Sequence, residues 1–296
     1  MLQLRNEFLT VDIESPASGY VGSRFDYNGK VVQISDSKGN TFLTQERLRN
    51  SDTHLLGKGL FGEFGIDKVI GYDTCAVDDF FPKIGVGLLQ KISNNPYDFF
   101  FPYQVTPFAT SIKKLSDSEI VFECSNDSIV YPFYYRKSLT LKDNSLNLHY
   151  FIENRGDKSF ETNEYIHNFL SFNHEGVGKD LKLNFQSSID SEAFSLGLNP
   201  DRVLEFETMS LKSVHFNEKP SSDFFFDSII KESAHCSKWT VCNEAGLSIS
   251  EQVDFKPSKI NLWGAAHVVS PEIFHNFIVH PMCTLEWNRT IEVSTP

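Results

Sequence analysis

Apolar and polar residues alternate along most of this chain. Leu9, Val11 and Ile13 are separated by Thr10 and Asp12; Ile120, Phe122 and Cys124 share one parity; Leu146, Leu148, Tyr150 and Ile152 share another, with Asn147, His149 and Glu153 among those opposite. A period of two sends successive side chains to opposite faces of an extended backbone, so each stretch predicts a half-buried β-strand. Positions 284–293 repeat the pattern: the even residues are polar and Leu285, Trp287, Ile291 and Val293 form an apolar face that only Arg289 interrupts, which assigns Glu286 to solvent. Turn-forming clusters at 27–30, 37–40, 142–145 and 243–246 fall at hairpin spacings. No long segment sustains the helical i, i+3, i+4, i+7 spacing, and residues 45–56 make at most a short helix or an irregular excursion. No linker, repeat or charge block divides the chain. The pattern predicts one all-β domain over 1–296, a large antiparallel β-sandwich of two packed sheets with room for about twenty strands.

Composition narrows the function. Among 296 residues, 40% are hydrophobic and 27 are Phe, enough for a sizeable core built from residues that favour sheets. Acidic residues outnumber basic ones 39 to 27, a net charge of −12 that opposes a polyanion, so no nucleic-acid partner is expected. Five cysteines without C-x-x-C spacing indicate neither a disulfide framework nor a zinc site and are read as reduced, mostly buried thiols. The N-terminus lacks a signal-like pattern and no apolar run approaches the length of a membrane span, so no membrane partner is expected and a cytoplasmic location is.

Clustered Gly and polar residues break the alternation where backbone could approach a ligand. Arg24, flanked by glycine and aromatics in 19–27, either aims a guanidinium into a cleft or pairs with the neighbouring Asp26. Glu63 stands amid four glycines in 57–65, which match no phosphate-loop fingerprint. Lys83 stands between aromatics and a glycine pair, and Lys83 with Glu63 is either a structural ion pair or a substrate clamp. Residues 164–173 contain Tyr165, His167 and Asn168; residues 265–274 contain Ser270, Pro271 and Glu272, where the proline marks the end of a run and sets the carboxylate at a strand rim. A histidine and a glutamate from separate strands are the minimum for paired general acid and base chemistry near neutral pH. Taken singly, a core histidine bonded to a carbonyl and a Pro-Glu loop tip are the commoner readings. No H-E-x-x-H or G-x-S-x-G motif is present, leaving metal-free acid–base chemistry as the leading enzyme class.

Together, Gly22-Ser23-Arg24-Phe25-Asp26, Glu63-Phe64, Lys83-Ile84-Gly85-Val86-Gly87, Tyr165-Ile166-His167-Asn168-Phe169, Ser270-Pro271-Glu272 and Leu285-Glu286-Trp287-Asn288-Arg289 resemble, in order and spacing, the aldose 1-epimerase (galactose mutarotase-like) superfamily, and a divergent branch of it. The resemblance implies a β-supersandwich with a sugar cleft on one concave sheet and a cofactor-free isomerase, monomeric or homodimeric, acting on a monosaccharide or sugar derivative. It implies that His167 is the general acid to the ring oxygen and Glu272 the general base on the anomeric hydroxyl; Arg24, Glu63, Lys83, Tyr165 and Asn168 are expected around the substrate, although the family's own positioning roles do not carry over to Glu63 and Lys83. Alternation is read as placing Tyr165 and Asn168 opposite His167, Asn168 being the weaker contact. The galactose enzymes carry an arginine where this chain reads Phe61-Gly62-Glu63-Phe64 and a histidine before two glycines where it reads Lys83-Ile84-Gly85. These departures suggest a different sugar, acidic or modified, or a non-catalytic carbohydrate-binding or sensory protein on the same fold. A lyase or hydrolase is disfavoured because such relatives add a helical catalytic domain.

Overall fold

Antiparallel pairing organises nearly the whole chain, in a computed structural model that describes residues 1–16, 18–48, 54–206 and 211–296. Among the described residues, an eight-stranded sheet, a ten-stranded sheet and a small three-stranded sheet account for the strands. The alternating segments are strands as expected: Leu9–Glu14, Glu119–Asn126, Ser145–Asn154 and Thr284–Ser294. Residues 142–145 and 243–246 close hairpins, and 37–40 turns the chain back so that Ser35 bridges Thr41. The 27–30 cluster does not close a hairpin; it leads from the Phe25–Glu63 bridge into the strand Lys30–Asp36. Residues 45–48 and 54–56 are irregular, and 49–53 of that stretch lie outside the described residues.

The two large sheets pack face to face. Inward residues of Ser145–Asn154 are buried at every second position, and Tyr150 stacks on Trp287 at 4.9 Å. The apolar run of Thr284–Ser294 is broken by Arg289 because the arginine also turns inward. Its guanidinium donates to Glu164 Oε2 at 2.6 and 3.1 Å, to Glu251 Oε1 at 2.5 Å and to the Ile273 carbonyl at 2.9 Å. Fully buried charges persist only when matched in this way. Glu286 is exposed, as its parity requires.

The strand Phe160–Asn168 lies inside the eight-stranded sheet, between Leu60–Phe64 and Val268–Val279; Lys259–Ala265 and then Phe224–Lys231 follow towards the edge. Its even residues face the second sheet. Its odd residues face outward, where a separate cluster including Tyr20, Phe25, Phe61, Phe81 and Phe169 packs the covering loops and the three-stranded sheet against it. This outer layer surrounds the candidate site. Among the described residues no helix is long and apolar enough to cross a membrane. None of the five cysteines is paired; Cys124 and Cys236 are buried, Cys75 and Cys242 half-buried and Cys283 exposed, so the expected burial holds for only two.

Candidate functional site

One register brings the two proposed catalytic residues together. Glu164 pairs with His275 and Leu170 bridges Val269, which sets His167 directly across from Glu272 on the neighbouring strand. Pro271 does not end this strand, contrary to the reading from sequence: Ser270, Pro271 and Glu272 lie inside Val268–Val279 and pair with Trp263, Leu262 and Asn261. The proline is tolerated because Val269 on the same parity bonds towards Leu170, so the missing N–H of Pro271 faces a stretch where the ladder to the histidine strand is interrupted. Asn168 fills that interruption, donating to the Pro271 carbonyl at 2.7 Å.

His167 Nδ1 is 2.9 Å from Ser270 Oγ and 3.2 Å from Glu272 Oε1, and Ser270 Oγ donates to the same carboxyl oxygen at 3.1 Å. When Glu272 is a carboxylate it takes the serine proton and Nδ1 donates in its own contact, and Nε2 has no protein partner among the described residues. The imidazole stacks on Phe169 at 4.1 Å and meets the edge of Trp263 at 5.1 Å. Burial in these aromatic surroundings disfavours charge on both groups. It pushes Glu272 up to about 8 and holds His167 well below its ordinary value of 6.5. At neutral pH the pair therefore holds one titratable proton, on the carboxyl group, beside a neutral imidazole.

The pair opens on a cavity of about 680 Å³, within the range of small-molecule sites. Arg24, Tyr165, Phe99, Phe100, Trp263 and Phe274 form much of its wall. Arg24 is aimed here by its loop: the Tyr20 hydroxyl accepts the backbone N–H groups of Arg24 and Phe25 at 2.8 and 3.1 Å, and Gly22 is required because a Cβ there would stand 2.6 Å from that hydroxyl. The guanidinium donates to Glu63 Oε2 at 3.1 Å and Tyr165 Oη at 3.2 Å, and lies 3.6 Å from Glu46. It does not pair with Asp26, whose carboxylate instead meets Tyr135 and Lys137.

Tyr165 lines the cavity on the same face as His167, correcting the expectation that alternation would separate them; residues two apart on a strand share a face. Its ring stacks on Phe274 at 4.5 Å and its hydroxyl donates to Glu63 at 2.7 Å. Glu63 and Lys83 are buried behind the cavity wall and do not line it. Lys83 Nζ contacts Glu63 at 3.3 Å and the Tyr97 hydroxyl at 2.8 Å, and burial lowers its pKa although Glu63 opposes the shift. Asn168 faces the second sheet and also donates to Glu251. Among the described residues no cluster of three or more His, Cys, Asp or Glu side chains is arranged to hold a metal ion.

No family model matches the chain, and no curated protein matches it in sequence. Solved structures do match it from end to end. A galactose mutarotase related enzyme from Lactobacillus acidophilus superposes with a TM-score of 0.61 at 9% identity over 99% of this chain and 97% of its own. A galactose mutarotase-like protein from Clostridium acetobutylicum gives 0.59 at 12% identity over 99% and 95%. An aldose epimerase homologue from C. elegans gives 0.55 at 9% identity over 99% and 98%. The fold is galactose mutarotase-like.

Within this mutarotase-like fold, several cavity residues escape a reading by motif. Lys259, Asn261 and Trp263 occupy alternate positions and so share one face, a signal present in the sequence, but only the register with Phe274, Glu272 and Ser270 brings them to the site. Glu46, Phe99 and Phe100 arrive on loops, whose placement no periodicity encodes.

Proposed function

We propose that the protein is an aldose 1-epimerase-type isomerase in which His167 and Glu272 open and close the ring of a sugar hemiacetal. The observation that carries this reading is the cross-strand contact of an imidazole and a carboxyl group at the floor of an aromatic cavity. The ring oxygen and the anomeric hydroxyl oxygen are bonded to one carbon, so an acid and a base serving them must be neighbours. Ring opening with His167 as acid and Glu272 as base runs through the imidazolium–carboxylate form, which the resting pair reaches when the Glu272 proton passes to the imidazole across their contact: Nε2 then gives its proton to the ring oxygen while Glu272 takes the hydroxyl proton, the C–O ring bond breaks and the carbonyl forms. It ends on imidazole and carboxylic acid, the form that burial favours. Rotation about the bond to the carbonyl carbon and reversal of the transfers close the ring on the other face. A purely sugar-binding protein would use the same aromatic walls but has no need of this pair.

We further propose an uncharged sugar rather than an acidic one. Among the described residues, each cation lining the cavity is already matched: Arg24 by Glu63 and Glu46, Arg47 by both carboxylate oxygens of Asp223 at 2.8 and 2.7 Å, and Lys259 by Asp67 and Asp227 at 3.4 and 3.1 Å. A phosphate or uronate would have to displace a carboxylate to find a partner. Polarimetry on freshly dissolved neutral aldoses and their phosphates tests both statements; acceleration confined to sugar phosphates would contradict the second, and none for any sugar would contradict the first.

A further inference from the structure

A second hollow adjoins the far wall of the cavity. Phe225 and Asp227 line the cavity and also line this hollow of about 540 Å³, bounded by Leu196, Leu198, Glu192 and Lys231. In the edge strand Phe224–Lys231, Phe224 and Phe226 turn into the core while Phe225 turns out. The helix Ser191–Leu196 starts where Asp190 accepts the Ala193 N–H and stops at Gly197, where a Cβ would come within 2.1 Å of the Phe226 ring. Leu198 then pairs with Phe225 through two backbone hydrogen bonds of 2.7 and 2.9 Å. Phe194 anchors the helix from below by stacking on Phe226 at 4.8 Å. The result is a shelf, fixed by backbone pairing, with Leu196 79%, Leu198 56% and Phe225 38% exposed.

We infer that this shelf is a subsite for the second sugar unit of a reducing oligosaccharide whose reducing-end unit occupies the His167–Glu272 cavity. The inference rests on the function proposed above and extends it from a single sugar to a longer one. Three features support it. The two hollows adjoin, with Phe225 and Asp227 in the walls of both. The strand of Phe225 lies two places from that of Glu272 in the sheet, a span of roughly 10 Å that leaves room for one pyranose between the acid–base pair and the shelf. The chemistry is also suited to the non-reducing neighbour: an exposed aromatic ring and two aliphatic side chains meet the C–H faces of a sugar ring, while Asp227, Glu192 and Lys231 at the rim offer hydrogen bonds to its hydroxyls.

The test compares matched pairs, glucose with maltose, cellobiose and lactose, and xylose with xylobiose, in anomerisation kinetics and in calorimetric binding, for the wild type and for Leu198→Asp and Leu196→Asp. Both leucines lie outside the cavity, and the second variant guards against a folding defect in the first. The expected result is a kcat/KM for at least one disaccharide about tenfold above that of its monosaccharide, lost in both variants while the monosaccharide value is unchanged. A disaccharide that gains nothing over its monosaccharide, or variants that weaken both alike, overturns the shelf and leaves the isomerase reading standing. If no sugar is accelerated, the isomerase reading fails, and calorimetry still decides the shelf: tighter disaccharide binding that depends on Leu198 supports it, and equal or absent binding overturns it.

Discussion

Two sets of ionisable side chains stand back to back on the strand Phe160–Asn168. On the inner face, Glu164 meets Arg289, which also meets Glu251; on the outer face, His167 meets Glu272, and Tyr165 meets Glu63 and Arg24. All are buried, and neighbours in sequence differ only in the side of the sheet they face. The inner set is closed upon itself, with the guanidinium satisfied by two carboxylates and a carbonyl. The outer set keeps Nε2 of His167 without a protein partner among the described residues, against a cavity. The difference separates a charge network that holds two sheets in one arrangement from one equipped to exchange protons with a ligand.

Removing the central charge of the inner set should have the largest effect. Arg289→Met leaves Glu164 and Glu251 buried without a counter-charge and is expected to cost about 3–5 kcal/mol in urea unfolding, while replacing all three by apolar residues of similar volume recovers most of that loss. Recovery of nothing by the triple variant would show that the network is more than a matched charge set.

Glu63 stands between the two sets, as buried as the inner one yet facing outward. Glu63→Gln weakens the hold on Arg24 and Lys83 together, and the expected outcome is a stability loss of about 1–3 kcal/mol accompanied by a raised KM for sugar. A stability loss with KM unchanged would assign Glu63 to the structural set alone.

Protonation separates the outer pair from ordinary surface groups. Glu272 has a folded pKa of about 8 against 4.5 for the free side chain, so the folded state binds more protons than the unfolded state between those values. Stability from this group is therefore present below 4.5 and is lost as pH rises to about 8. His167 acts in the opposite sense, its contribution being lost as pH falls below 6.5. The melting temperature of the wild type should thus fall relative to Glu272→Gln between pH 5 and 8, and catalysis should decline above about 8, where the pair loses its proton. The smallest effect is expected at the rim: Arg47→Ala removes a half-exposed pair with Asp223 and should change stability by only about 0.2–1 kcal/mol.

Much of this arrangement is legible in the amino-acid sequence. Alternation in 9–13, 120–124, 146–152 and 284–293 identifies strands because each of those segments has one face on the core. Arg289 visibly interrupts an apolar face, but its two carboxylate partners come from strands 125 and 38 residues away, which no local pattern reveals. Pro271 misleads because a proline usually marks a strand end, and only the interrupted ladder beside it explains its place in mid-strand. Glu63 and Lys83 stand out as a possible pair and are indeed paired, but depth behind a wall is invisible to a one-dimensional pattern. Spacing and resemblance point to His167 and Glu272, whereas their direct contact depends on a register fixed by pairs on either side of them.

Whether the outer pair moves protons on a sugar is decided by the rate of anomer interconversion, followed by polarimetry or NMR exchange over a panel of neutral aldoses, for the wild type, His167→Ala, Glu272→Gln and the double variant. At least one sugar should be accelerated, and each single variant should lower kcat about 100-fold or more with unfolding stability retained. The double variant should be little worse than either single, since the two residues act in one step. Acceleration that survives in the single variants, or is absent from every sugar in the wild type, would contradict the acid–base role of His167 and Glu272.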